Sequence, residues 1–396
     1  MIVAYSLVCA SSQVLWLTYA AITTESARHY GVSVGAIGWL AEIFPLLYVL
    51  LAIPAGILLD RWFRPALAGG GLLIALGGIA RLGGQTFAWA MAGQVLVAIG
   101  QPVVLSAVSK LAGEYLPVGQ RASGIAVGSA GGFVGMLVAL ILGPTIGAHG
   151  HVELLLVVEG VIALPPSLAL VALLGRTGHA SDEHAAIEGS VAGALWRLPA
   201  MRTLCGLAFI GFGIFVALAT WLQQLLQPSG VSEAQAGALL VGMVLAGIVG
   251  CAVLPPIVTR RGADRAFIRG AVQVGCGGCV VLAVAPSLGV RLLALVAMGL
   301  VVLPALPVIL TRAEQLAGAG AGTAGAIVWM AGNLGGLVVA LIVQVLVHHP
   351  LPALLTVAGV ALLGLPLAGR LDSRTGEASD GPDTRSRCRR RRVKRG

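Results

Sequence analysis

Only 10% of the 396 residues in this sequence are Asp, Glu, Lys or Arg, so the places where charge collects are informative. The first is Gly56-x-x-x-Asp60-Arg61-x-x-Arg64, set between two apolar runs. No nucleophile accompanies these charges, and their spacing does not form an acid–base dyad. A carboxylate in such a loop can instead meet the positive N-terminal end of a neighbouring helix. The glycine-rich GAGAGTAGA at 318–326 opens a later apolar run and permits close approach. Arg61 or Arg64 can reach an acid such as Glu114. Gly56, Asp60, Arg61, Arg64 and Glu114 are therefore read as a latch made of ion pairs and a helix end.

Two more acids, Glu42 and Glu159, lie inside apolar runs. A carboxylate embedded among apolar residues is costly and is functional by default. Glu42, just before Phe44-Pro45, is the stronger candidate, either to carry a proton or to answer a cation; Glu159 ranks below it. None of the seven histidines is central to an apolar run, which leaves a metal or haem contact as a minor reading. Cys276-Gly-Gly-Cys279 is formally CxxC but has no second pair, so packing is preferred over metal or redox chemistry. There is no P-loop lysine and no recognisable nucleophile motif. The reading is of a non-enzyme with no metal and no cofactor.

The elements that must hold these residues are apolar. Hydrophobic residues make up 58% of the chain and mean hydropathy is +0.95, whereas soluble domains carry about 25% charged residues. Apolar runs near the ~20 residues needed to cross a ~30 Å hydrocarbon core recur along the length. Turn and charge signals divide them into twelve spans: 2–22, 35–59, 65–84, 87–109, 121–147, 152–175, 201–226, 234–257, 266–286, 290–311, 321–347 and 350–369. The N-terminus shows no cleavable signal, since it lacks a basic leader and runs on as a full span. The 56 glycines read as helix contacts, because small residues let membrane helices approach closely.

Twenty-two of the 25 basic residues fall in loops after even spans or in the tail. Arg28, Arg81 and Arg291 fall in, or within a few residues of, loops after odd spans. The positive-inside rule then makes both termini cytoplasmic. Ten of the basic residues lie in 370–396, read as a disordered tail near anionic lipid headgroups rather than a nucleic-acid site.

The polar connection 176–200 splits the spans six and six. Residues 124–142 aligned on 325–343 give identities without a gap, among them Gly124/Gly325, Gly131/Gly332, Gly135/Gly336 and Ala139/Ala340. The expected organisation is an N-terminal half 1–175, a cytoplasmic linker 176–200, a C-terminal half 201–369 and the tail 370–396. The opening loop recurs as PPIVTRR, 255–261, with Thr259 in place of Asp60, so the second half is expected to close without an equivalent carboxylate. Parallel six-helix repeats are an arrangement of transporters that bind at the repeat interface.

In that context the Gly56–Arg64 loop resembles the signature loop of the major facilitator superfamily. The resemblance implies an all-α polytopic membrane protein of twelve transmembrane helices in two six-helix halves. A narrower likeness runs through WLTYAAITTESARHYGVS (16–33), GWL (38–40), GQVLVAIGQPVVL (93–105) and the glycine-rich span 5. These resemble the feline leukaemia virus subgroup C receptor family, whose members are implicated in choline, ethanolamine and haem movement. The resemblance places Trp16 at that family's first-span tryptophan, Gln101 at its fourth-span glutamine and Asn333 at a span-11 glutamine. Val216 stands where the family has a tyrosine.

Trp16, Gln101 and Asn333 on spans 1, 4 and 11 are expected at a central cavity. Aromatic residues Trp16, Trp329 and Phe215 suit a quaternary ammonium, which gains ~0.5–2 kcal/mol over an aromatic face. The reading is a monomeric secondary active or facilitative transporter of the plasma membrane that moves a small organic solute by alternating access. A choline-like amine is the first expectation. Export of haem or of a hydrophobic drug or metabolite is the alternative in the same class. A transport-dead receptor or sensor is the alternative in another.

Overall fold

The structure, a computed structural model, describes residues 1–19, 22–147, 150–176 and 191–371. Most of the 176–200 connection and the tail beyond Leu371 lie outside the described residues.

Within these bounds the chain forms helices α1 (Ile2–Leu17), α2 (Thr23–Tyr30), α3 (Val34–Arg61), α4 (Phe63–Ala80), α5 (Phe87–Tyr115), α6 (Arg121–Ile146), α7 (Val152–Arg176), α8 (Val191–Arg197), α9 (Pro199–Leu226), α10 (Glu233–Arg260), α11 (Asp264–Val284), α12 (Leu288–Val302), α13 (Ala305–Ala317), α14 (Ala321–Leu346), α15 (Pro350–Leu362) and α16 (Gly364–Gly369). Among the described residues, eleven helical stretches are long and apolar enough to cross a membrane. Two of these join short helices, α12 with α13 and α15 with α16. With the shorter α1 they account for twelve passes, and the expected span order holds.

The differences are local. The first span stops at Leu17 rather than residue 22 and gives way to the separate polar helix α2. The tenth span breaks between Val302 and Ala305, beside Pro304, which cannot continue a helix's hydrogen bonds. Within the connection 176–200, Val191–Arg197 forms helix α8 rather than loop.

The passes are packed as two sets of six. α1 lies against α6 and α9 against α14, equivalent pairs in the two halves. α6 and α14 are each 26 residues long and each follows a single 3-10 turn, Val118–Gln120 and Gly318–Gly320. Across the halves, α3 packs on α14 and α6 on α10. Small residues set these distances. A Cβ on Gly131 would lie 2.5 Å from the Ser6 carbonyl oxygen, and one on Gly213 would lie 2.9 Å from that of Gly335. Close backbone approach replaces the hydrophobic drive that lipid removes.

Met1 and Leu371 lie at the same end of the bundle, called here the near end; the other is the far end. Arg81 and Arg291 were expected in far-end loops. Both are buried, so they are not solvated loop residues.

Candidate functional site: a central cavity above a closed end

A cavity of about 730 Å³ lies between the halves. Its walls are drawn from the far-end portions of the central helices, with Leu17 of α1, Glu42 of α3, Leu140 of α6, Thr220 of α9, Leu240 of α10 and Gln344 of α14. Trp16, Phe215 and Asn333 also line it, so four of the six residues proposed for binding or coupling line one cavity, two from each half. Val216 lines it as well, where an aromatic ring would otherwise narrow the space.

Beneath this cavity, toward the near end, sits a chamber of about 20 Å³. Trp16, Phe212, Met136 and Asn333 border both spaces. The remaining two predicted site residues, Gln101 and Trp329, line the chamber. The floor is aromatic: Phe212 meets Trp329 edge to face at 5.8 Å between centroids, and Phe212 lies 5.8 Å from Phe215. Trp16 stands 6.2 Å from Phe44 of α3. Glu42, on the same helix, is an exposed residue that lines the wider cavity. Asn333 donates its Nδ2–H to the Trp329 carbonyl at 2.9 Å.

At the near end the halves are joined. Asp60, whose side chain is 2% exposed, accepts from the Gly322 N–H at 2.9 Å, from the Thr323 N–H at 2.9 Å and from the Thr323 hydroxyl at 2.5 Å. These are first-turn donors of α14, which have no partner within their own helix. The aligned peptide dipoles there favour a negative charge. Gly56 makes the approach feasible, since a Cβ there would lie 2.8 Å from both the Thr323 Cα and the Ala326 Cβ. Lys110 donates to the Leu59 and Asp60 carbonyls at 2.9 Å and stands 3.7 Å from the Asp60 carboxylate.

A second contact crosses in the opposite sense. Arg121, at the start of α6, is 3.8 Å from the Glu314 carboxylate on α13 and donates to the Gly113 carbonyl at 2.9 Å. The second half was expected to close without an equivalent carboxylate, because Thr259 replaces the acid. The C-terminal half does contribute an acid, Glu314, but from a different helix. Of the remaining latch residues, Arg61 is exposed at the end of α3, Arg64 is partly buried in the first turn of α4, and Glu114 is exposed near the end of α5. Of the ion pairs at this end, Lys110 with Asp60 lies within the N-terminal half and Arg121 with Glu314 crosses between the halves.

The model of the Major Facilitator Superfamily matches residues 1–340. The chain belongs to that superfamily. Solute carrier family 49 member A3 of Danio rerio is 32% identical over 270 residues, covering 63% of this chain and 56% of that protein. The human Choline/ethanolamine transporter FLVCR2 is 22% identical over 264 residues, covering 60% of this chain and 50% of its own. The chain therefore spans about half the length of the curated relatives it matches. Among solved structures, the superfamily transporter FucP in its outward conformation superposes with a TM-score of 0.74 at 17% identity, over 92% of this chain and 97% of that one. The human organic anion transporter MFSD10 gives 0.69 at 15%, over 93% and 98%. These two establish the major facilitator fold.

Two charged clusters on this scaffold were not foreseen. Glu159 is buried, not on the cavity wall. Its Oε2 accepts from the Thr18 hydroxyl at 2.5 Å and from Arg81 at 3.2 Å, and Arg81 also donates to the Thr18 hydroxyl at 2.9 Å. Thr18 caps α1 where the first span breaks. The acid's place within a span was a legible signal, but its partner was hidden because Arg81 reads as a loop residue beside Gly83-Gly84. Arg312 donates to Asp264 at 2.6 Å within the C-terminal half. Gln13 and Ser129 also line the chamber. No group of three or more His, Cys, Asp or Glu side chains fit to hold a metal occurs among the described residues.

Proposed function

We propose that this chain is a secondary active or facilitative transporter that moves a small organic solute by alternating access, with a choline-like amine as substrate. The observation that carries the proposal is the 730 Å³ cavity between the halves, enclosed at one end by Asp60 on the α14 terminus and Arg121 near Glu314. Such a state exposes the site to one side only. The basic residues gathered at the near end make that end cytoplasmic by the positive-inside rule, so the state is outward-facing.

Aromatic side chains Trp16, Phe212 and Phe215, with Glu42 lining the same cavity, suit an organic cation. The printed name of the human relative, a choline/ethanolamine transporter, agrees with this chemistry. Movement to the other state requires the near-end contacts to part. Asp60 must leave the Gly322 and Thr323 N–H groups, and Arg121 must separate from Glu314, while the far end closes over Glu42. The largely apolar wall from Leu17, Pro45, Leu140 and Leu337 supports the second reading, export of a hydrophobic compound.

The test is uptake of labelled choline by the full chain in proteoliposomes, with competition by ethanolamine, tetramethylammonium, carboxylates and haem. Saturable uptake competed by the amines is expected. Saturable flux of haem alone would favour the second reading. Ligand binding without flux for every compound would favour the receptor reading.

A further inference from the structure

Basic side chains at the near end divide into two groups. Lys110, Arg121 and Arg312 each stand beside an acid, Asp60, Glu314 and Asp264 respectively. Arg202, Arg265, Arg269 and Arg370 make no ion pair with any described residue. Within 191–371 the acids are Glu233, Asp264 and Glu314. Glu233 opens α10 at the far end, and the other two are engaged by Arg312 and Arg121. Among the described residues of the C-terminal half, no carboxylate is left to answer these four arginines.

Helix packing brings the four to one corner. The short helix α16 packs against both α11 and α9. A Cβ on Gly364 of α16 would lie 2.8 Å from Val272 Cγ2 of α11, and one on Gly206 of α9 would lie 2.8 Å from Leu367 Cδ1 of α16. From these contacts all three helices run to the near end. Arg269 and Arg265 precede Val272 by three and seven residues, so they share its face of α11. Arg202 precedes Gly206 by four on α9, and Arg370 follows Leu367 by three at the end of α16. Arg202, Arg269 and Arg370 are exposed, and Arg265 is half-buried.

The corner also has an apolar side. Leu362 and Leu363, about two turns farther from the near end than Arg370, are 48% and 63% exposed. A free anion would use the guanidinium groups alone. A phospholipid uses both features, with its phosphate on the guanidinium forks and an acyl chain on the leucines. The near end is the cytoplasmic one by the positive-inside rule, and anionic lipids gather in that leaflet.

From four unanswered arginines around the end of α16, with exposed leucines beyond them, we infer that this corner binds the headgroup of an anionic phospholipid. The site lies outside the central cavity and does not depend on which solute the cavity carries. The phosphate sits among Arg202, Arg269 and Arg370, Arg265 adds charge, and one acyl chain follows Leu362 and Leu363.

The test is native mass spectrometry of the delipidated full chain with added phosphatidylglycerol, phosphatidylcholine or inorganic phosphate, with thermal unfolding of the same samples. Phosphatidylglycerol should be retained and should raise the unfolding temperature, and phosphatidylcholine should do neither. Arg202→Gln with Arg370→Gln should weaken phosphatidylglycerol binding roughly ten- to thirty-fold. Arg260→Gln with Arg261→Gln removes the same charge from the end of α10 and should leave binding near wild type. If the first pair does not fold, Arg265→Gln with Arg269→Gln carries the same comparison.

Equal weakening by the corner pair and the α10 pair would reduce the site to general surface charge and overturn it. Binding unmoved by any pair would assign the lipid to other basic residues and also overturn it. Stabilisation by inorganic phosphate equal to that by phosphatidylglycerol would replace the lipid site with a free-anion site. Failure to retain phosphatidylglycerol would overturn the inference outright.

Discussion

Glu42 and Glu159 show how the same residue type takes different work from its surroundings. Both interrupt apolar spans, yet only Glu42 reaches the cavity, while Glu159 is paired inside the N-terminal half. Glu42→Gln keeps the shape and removes the charge. It should weaken binding of a quaternary amine at least several-fold, read by titration of the purified protein, and leave the thermal unfolding temperature within error. Unchanged amine affinity would remove Glu42 from the site. The buried pair behaves oppositely. Arg81→Leu leaves an uncompensated carboxylate and should cost about 3–5 kcal/mol, whereas Arg81→Leu with Glu159→Leu should recover most of that loss. Thermal melts of the two variants decide it, and equal destabilisation by both would mean the pair is held by more than charge balance.

At the scale of elements, the near end is a joint between α3 and α14 that depends on a glycine and a carboxylate four residues apart. Asp60→Asn retains one acceptor oxygen but loses the charge that answers the α14 terminus. It should slow uptake about ten-fold while ligand affinity in the cavity stays near wild type, since Asp60 is remote from that site. Lost affinity with an intact fold would show that the loop acts on binding. Gly56→Leu should separate the two helices, because a Cβ there already meets the Thr323 backbone. Thiol labelling of a cysteine placed at Thr323 should then rise, and unchanged protection would contradict the close approach.

Across the whole molecule, two six-helix sets meet around one cavity and are tied by contacts that cross the interface in both directions. The basic tail beyond Gly369 is read from its composition as lying near lipid headgroups, so truncation there should leave flux per folded molecule at wild-type level. A sensor that signals through the tail would lose its response instead, which a reconstituted flux measurement beside a cellular response assay separates.

Fold class, span order and the two-half plan were legible in the chain because they follow from local quantities. Hydropathy over ~20 residues identifies a span, and the repeated glycine pattern of 124–142 and 325–343 marks equivalent helices before any contact is known. Trp16, Gln101, Asn333 and Asp60 were likewise singled out by their types and positions, and each stands at a helix interface. What the chain did not disclose is pairing. Arg81 and Glu159 are 78 positions apart, Arg121 and Glu314 nearly 200, and Lys110 meets Asp60 across a helix crossing. No local periodicity encodes such meetings. The gathering of Gln13, Gln101 and Ser129 around one chamber was equally invisible, because a polar side chain in a span reads the same whichever way it faces. The sequence determined which segments enter the membrane, since that depends on composition along the chain. Only the tertiary structure decided which charges pair and which polar side chains line one cavity, since that depends on distances between helices.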